Sequence, residues 1–155
     1  MTSPPLPFGR VRPAITADHG AWDRLYAGYA AFYEVAQTPE DRAAVWRWVH
    51  DADHEVNALI LTGDDGQPVG FAHYRPFARP LAASTGCFLD DLFIDPEHRG
   101  GGGVHALLAG VRSIARQNGW GVVRWITADD NYRARSVYDR VAKRTAWITY
   151  DMDVG

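Results

Sequence analysis

The chain is short of cysteine, of lysine and of long apolar runs, and each shortage excludes something. Cys87 is the single cysteine among 155 residues, so no internal disulfide can form and a reducing cytoplasm is the expected setting. No stretch approaches the ~18 consecutive apolar residues of a membrane span. The opening Met1-Thr2-Ser3-Pro4-Pro5-Leu6-Pro7 has neither a charged lead nor an apolar centre, so it does not read as a signal peptide. Sixteen basic residues against nineteen acidic ones give a net charge of −3, which leaves no basic footprint for nucleic acid or an anionic membrane. Lys143 is the only lysine; every other basic residue is arginine, a coding bias rather than a chemical signal.

What is present suffices for a core. Hydrophobic residues make up 46% of the chain and aromatic ones 12%, which excludes a disordered tail, a collagen-like chain and a small disulfide scaffold. The length fits one domain. Residues 1–9 are proline-rich and expected to be loose, with the domain spanning 10–155.

Periodicity supplies the elements. Arg10 to Ile15 alternates and reads as a first strand. Asp18 can cap a helix whose apolar face is Trp22, Leu25, Tyr26, Tyr29, Phe32 and Tyr33. Thr38-Pro39-Glu40-Asp41 is a helix start, with a capping hydroxyl, proline in the first turn and acids at the positive end; the helix should stop near His50. Asn57 to Thr62, the turn Gly63-Asp64-Asp65-Gly66, and Pro68 to Tyr74 read as a hairpin. Phe88 to Ile94 is a further strand, ended by Asp95-Pro96. A helix follows with the stripe Val104, Leu107, Leu108, Val111, Ile114 and Ala115, stopped by Asn118-Gly119. Val122 to Thr127 is a strand, Asn131 to Val141 a helix, and Ala146 to Met152 a closing strand. The expected fold is α/β of the α+β kind: a mixed, mostly antiparallel central sheet with helices on both faces.

The most informative stretch is strand, glycine run, helix: Phe88 to Leu108, with Gly100, Gly101, Gly102 and Gly103 in the middle. Unpaired N–H groups at a helix start carry positive partial charge and can take a phosphate, and glycine lets a ligand reach the main chain. A flexible turn is the plainer reading. It fits less well, because a run so costly in backbone entropy directly precedes a well-formed helix. A P-loop needs Gly-Lys-Ser or Gly-Lys-Thr, and the loop has no lysine or hydroxyl. A dinucleotide fingerprint can be forced onto Gly101 to Ala106, but it should open a domain and precede several parallel strands.

Arg99-Gly100-Gly101-Gly102-Gly103-Val104 resembles the acyl-CoA pyrophosphate loop of the GNAT superfamily of N-acetyltransferases, in which Arg or Gln is followed by two residues, Gly, one residue, and Gly or Ala. Arg99 and Gly102 match, and Val104 departs at the last position. The flanks Leu92-Phe93-Ile94-Asp95-Pro96 and Ala106-Leu107-Leu108 match too, and Asn131-Tyr132-Arg133-Ala134-Arg135-Ser136-Val137-Tyr138 resembles the family's Asn-x-x-Ala-x-x-x-Tyr helix. Phe88 to Phe93 and Arg140 to Tyr150 look most like the polyamine and small-amine branch. The resemblance implies an enzyme moving an acetyl group from acetyl-CoA to a primary amine, with no metal and as a homodimer. It implies CoA contacts from Leu92, Phe93, Ile94, Arg99, Gly100, Gly101, Gly102, Gly103, Val104 and Asn131. A non-catalytic acyl-CoA sensor of the same fold and a protein-lysine acetyltransferase stand as alternatives.

Such a transfer needs a neutral amine, a polarised thioester and a proton for the leaving thiolate. Asp90 and Asp91 are adjacent, so a regular strand turns them to opposite faces and only one should meet the site, unless a bulge intervenes. Two close carboxylates hinder each other's ionisation. Polyamine-type relatives have Glu at the position matching Asp90, acting through water; for Asp91 a solvated strand end is an equal reading. Tyr138 is the candidate acid, since a phenol, which ordinarily titrates near pH ~10, is protonated at neutral pH. Periodicity alone would make it core, and its match to the family helix gives it the catalytic role.

Other signals are weaker. His50 and His54 lie among Asp51, Asp53 and Glu55 but read as a polar helix end without a third ligand cluster. His98 and His105 flank the loop and meet CoA phosphates or solvent. Cys87 suggests a buried small residue rather than a nucleophile. Trp22, Tyr26, Tyr29 and Tyr33 are mostly core, with a minority able to wall an amine pocket.

Overall fold

A computed structural model describes residues 11–155; the proline-rich segment 1–9 and Arg10 lie outside the described residues. The elements run β1 (Val11–Pro13), α1 (His19–Phe32), α2 (Pro39–His50), β2 (Asn57–Thr62), β3 (Pro68–Arg79), β4 (Ser84–Ile94), α3 (Gly103–Gln117), β5 (Val123–Arg124) and α4 (Tyr132–Val141). They form one five-stranded sheet in the order β1-β2-β3-β4-β5, antiparallel except for the parallel β4–β5 pair. The expected mixed, mostly antiparallel α/β sheet is therefore observed.

Local chemistry explains most boundaries. Thr38 Oγ1 accepts the Asp41 N–H while the Asp41 carboxylate accepts the Thr38 N–H, a reciprocal cap that starts α2 one residue after Thr38. Asn118 and Gly119 close α3, with Gly119 at φ +72°. Asp18 stands at the cap position of α1, but its side chain makes no cap bond. The buried Asp18 carboxylate turns back to accept from Arg12 at 2.7 and 2.9 Å and from the Ile15 N–H at 2.8 Å, tying β1 to the helix start.

The sheet separates two apolar clusters. On one face Trp22 and Leu25 of α1 pack on Ile60, Phe71 and Phe93. On the other, Leu107, Leu108, Val111 and Ala115 of α3 cover Leu59, Leu61, Ala72, Tyr74, Cys87, Leu89 and Ile94. Cys87 is fully buried, and burial with the nearby Asp90 charge pushes its thiol up to about 11, the behaviour of a packing residue.

Three expectations are corrected. β3 and β4 run well past the predicted hairpin and strand, pairing out to Arg79↔Ser84. β5 has only two paired residues, Cys87↔Val123 and Phe88↔Arg124, where six were expected. The closing strand at Ala146 to Met152 does not form: residues 142–155 adopt no helix or strand, and all are exposed. A strand needs a partner edge, and alternation alone cannot supply one.

Candidate active site

β4 and β5 stay together only at Cys87 and Phe88, so Leu89–Ile94 continue with no strand partner on that side among the described residues. A slot opens there, edged by β4 main chain. The Asp95 N–H bonds the Val69 carbonyl, so with Phe93 opposite Phe71 the main chain of Phe93 is spent on β3, and it is Leu92 and Ile94 whose backbone N–H and C=O face the opening.

The partner strand accounts for the acidic pair. β3 and β4 register as His73↔Asp91 and then Tyr74↔Leu89, which leaves Asp90 as an extra, bulged residue. The bulge reverses the alternation: Cys87 and Leu89 face α3 before it, and Leu92 and Ile94 face α3 after it. Asp90 and Asp91 consequently share the α1 face and line one pocket of ≈ 460 Å³ with Tyr26, Trp48, Glu55, His73 and Arg75. The expectation of opposite faces is thereby corrected.

The two carboxylates differ in their surroundings. Trp22 Nε1, which can only donate, lies 2.9 Å from His73 Nε2, so that nitrogen accepts and the proton resides on Nδ1. His73 Nδ1–H then donates to Asp91 Oδ2 at 2.8 Å, and the Tyr26 hydroxyl donates to the same oxygen at 3.1 Å. Burial pushes the Asp91 carboxyl up, but the bonds from His73, Tyr29 and Tyr26 outweigh it and hold the group below its ordinary value. Asp91 is thus a poor proton acceptor at neutral pH. Asp90 is at the surface, paired with Arg75 Nε at 3.0 Å. Burial, with the Asp91 charge, raises its carboxyl above the usual range despite Arg75. Of the pair, Asp90 is the better base.

At the far end of β4, Gly100 and Gly102 both have φ +85°, a conformation that favours glycine, and Gly102 is the N-cap of α3. The main chain from Gly101 to Val104 enters the helix with its amides unpaired in the usual way. A Cβ on Gly103 would come within 2.9 Å of Leu61 and 3.0 Å of Ile94, so this glycine seats the helix on the sheet. Val104 packs partly against the α3-side core. The Arg99 side chain points elsewhere: its Nε donates to the Ile94 carbonyl at 3.1 Å, and its guanidinium lies 5.3 Å from the rings of Phe32 and Phe93. Arg99 braces the turn.

Asn131 caps α4, accepting the Ala134 N–H and donating to Thr127 Oγ1, both at 3.4 Å. Tyr138 packs edge-on against Trp125 at 5.3 Å, and burial, with the nearby Tyr33 phenol, raises its hydroxyl above the usual value. It remains a donor at neutral pH. No group of three or more metal-ligating side chains is found among the described residues; His54 instead stacks on Trp48 at 4.7 Å and accepts the Val56 N–H. His73 and Arg75 escaped the sequence reading. The available signal was a histidine two residues after Phe71, on the same face of a strand.

Residues 22–142 match the profile of the acetyltransferase (GNAT) family. The D-amino-acid N-acetyltransferase HPA3 of Saccharomyces cerevisiae is 28% identical over 134 residues, covering 86% of this chain and 83% of the yeast protein. Among solved structures, a probable acetyltransferase superposes with a TM-score of 0.83 at 21% identity, covering 94% of this chain and 98% of that one. The aminoglycoside N-acetyltransferase AAC(6')-Iy, in complex with CoA, reaches 0.80 at 18% identity, covering 94% of each chain. The slot beside β4, the glycine-led helix and the carboxylates at the bulge are thus set on the fold of known acetyltransferases, and the chain belongs to the GNAT family as an acetyl-CoA-dependent N-acetyltransferase.

Proposed function

We propose that the chain, working as one unit from residue 10 to 155, transfers acetyl from acetyl-CoA to a primary amine of a small, polyamine-like molecule. The observation that carries this reading is the bulge at Asp90, through which two carboxylates with different proton affinities line one pocket on the α1 face of β4. The CoA pyrophosphate binds the amides of Gly101 to Val104, and the pantetheine lies along Leu92 to Ile94. An ammonium is drawn by Asp90, Asp91 and Glu55, with Tyr26 and Trp48 offering ring faces. Asp90 takes its proton through water. The nitrogen lone pair then forms a bond to the thioester carbonyl carbon, the C–S bond breaks, Tyr138 gives its proton to the departing thiolate, and the second proton shed by the acylated nitrogen restores the Tyr138 phenol through water. Asp91, anchored by His73 and Tyr26, fixes the pocket wall and its negative potential.

Arg75 in the same pocket favours a second reading, an amino-acid acceptor whose carboxylate meets the guanidinium; the yeast relative's name points the same way. A thiol-release assay with acetyl-CoA and a panel of polyamines, D-amino acids, aminoglycosides and a lysine peptide separates the cases. Polyamine turnover supports the first reading, D-amino-acid turnover the second, and turnover of the peptide alone refutes both. CoA binding without release for any acceptor would leave a sensor. No described helix is long and apolar enough to cross a membrane. The buried single cysteine supports a reducing cytoplasmic setting, and a homodimer belongs to the same reading.

A further inference from the structure

The loop between α1 and α2 holds a buried acceptor with nothing to accept. Gln37 Oε1 is shielded from solvent and is the one buried side-chain polar atom without a hydrogen-bond partner among the described residues. An atom left so is costly, and it calls for a donor that the folded chain alone does not supply. Local chemistry fixes the residue in place. Glu34 turns the chain at φ 56°, and Gln37 directly precedes Thr38, whose reciprocal cap with Asp41 starts α2.

The other half of the same amide is committed. Burial, with the charges of Asp91 and Asp90, raises the Tyr26 hydroxyl, and the bond with Gln37 pulls it back, as a donor does. Gln37 Nε2 is therefore the half that bonds Tyr26, and Oε1 is the half left over. Tyr26 in turn donates to Asp91 Oδ2 at 3.1 Å. From the other side Trp22 donates to His73 at 2.9 Å, and His73 to the same carboxylate oxygen at 2.8 Å. Both chains of donors run toward Asp91, and none returns to Gln37. Trp22 and His73 are fully buried, so that branch is closed, whereas Tyr26 borders the pocket that also holds Asp90 and Asp91. A molecule in that pocket is the available source of a donor for Oε1.

We propose that Gln37 Oε1 accepts an N–H of the reacting amine, which makes Gln37 a specificity-determining residue that separates primary amines from N-alkylated ones. The proposal rests on the transfer reading above. A primary ammonium has three N–H bonds; once Asp90 has taken one proton through water, two N–H bonds and a lone pair remain. Gln37 Oε1 holds one N–H and the Asp91 carboxylate the other, so the lone pair is the valence left free to attack. N-Methylation puts a methyl group where one N–H was, and a buried oxygen then stays unpaired in the complex. A water molecule on Oε1 is the competing occupant, and it would make the residue indifferent to that methyl group.

Two probe pairs test this: putrescine with N,N′-dimethylputrescine, and D-alanine with N-methyl-D-alanine. Each is titrated by calorimetry into the CoA-loaded chain and assayed for thiol release with acetyl-CoA. The wild type should prefer the primary amine of a pair it accepts by roughly 100-fold in kcat/KM and roughly 10-fold in dissociation constant. Equal use of both amines overturns the proposal, and that result depends on no variant folding. Gln37→Leu should abolish the preference, by lowering kcat/KM for the primary amine alone, with CoA affinity unchanged. A preference that persists in Gln37→Leu gives Oε1 to water and overturns the proposal. Tyr26→Phe, which frees the amide to rotate, should weaken the preference roughly 10-fold, and adding Gln37→Leu should cost little more. Fully additive losses overturn it as well. Discrimination in binding without turnover would sink the transfer reading and leave Gln37 in its role. Turnover of both amines alike would do the reverse, and binding of no amine would sink both.

Discussion

Replacing each aspartate of the bulge by asparagine separates a base from an anchor. A free alkylammonium has a pKa of ~10.4, so about 4 in 10,000 molecules are neutral at pH 7 and roughly one in ten at pH 9.5. General-base assistance is commonly worth ~10²–10⁴-fold, so Asp90→Asn should lower kcat/KM for the amine by at least ~100-fold at pH 7. Neutral amine rises by roughly 300-fold between the two pH values, and the deficit should shrink to ~10-fold or less at pH 9.5. Arg75 loses little structurally, because the amide oxygen still accepts from its Nε. Asp91→Asn should behave differently. Its Oδ2 accepts from His73 at 2.8 Å and from Tyr26 at 3.1 Å, and making that acceptor neutral weakens each bond by ~1 kcal/mol, or ~2 kcal/mol together. For a chain of this size that lowers Tm by ~4–8 °C. Initial rates from pH 6.5 to 9.5 and a thermal melt of each variant read both effects. If the two variants keep the wild-type pH–rate profile, neither aspartate is the base, and Glu55 on the same pocket takes its place.

Other consequences can be checked as directly. Gly102→Val should raise the CoA dissociation constant more than 10-fold by calorimetry, because the N-cap holds φ +85° and a Cβ would crowd the approach to the amides. Unchanged binding removes the loop from the site. Tyr138→Phe should lower kcat by ~10²-fold, the low end for an acid that water can replace, with KM for acetyl-CoA nearly constant. Asp91 is depressed in the folded state, so the unfolded chain binds its proton first as pH falls. Its contribution to stability is full above the unfolded value of ~3.9 and is lost as pH drops through the folded one. The gap in Tm between wild type and Asp91→Asn should therefore close on acidification; a gap constant from pH 7 to pH 3 contradicts the assigned bonds. Iodoacetamide at pH 8 should leave Cys87 unmodified in the native protein, since its thiol is buried and raised to about 11.

Local chemistry was legible and pairing was not. The reciprocal cap at Thr38, the stop at Asn118-Gly119 and the asparagine that opens α4 can be read from adjacent residues, because caps are made within one turn. The glycine loop was legible for the same reason. Alternation placed Asp90 and Asp91 on opposite faces, and only the partner strand's register reveals the extra residue. Arg99 fits a ligand-loop pattern, yet its side chain is held by the nearby Ile94 carbonyl and Phe93 ring together with Phe32, some 67 residues earlier in the chain, and that last contact no local pattern encodes. The Trp22–His73–Asp91 relay joins three distant segments and was invisible for that reason. Residues 146–154 have a strand's alternation, but no strand forms there among the described residues.

The bulge also decides which lengths of β4 are permitted. With Asp90 removed from the count, Cys87, Leu89, Leu92 and Ile94 alternate without a break against Phe88, Asp91 and Phe93, and Leu89 and Asp91 stay opposite Tyr74 and His73. Asp90 is thus supernumerary: a chain lacking it keeps every inward side chain inward and every partner across the ladder. Such a deletion would remove the Asp90–Arg75 ion pair but no core contact, so the fold should survive it. It would also lose one of the two carboxylates that line the pocket. The sheet does not need this residue, and the proposed base stands at the single position by which the strand is too long.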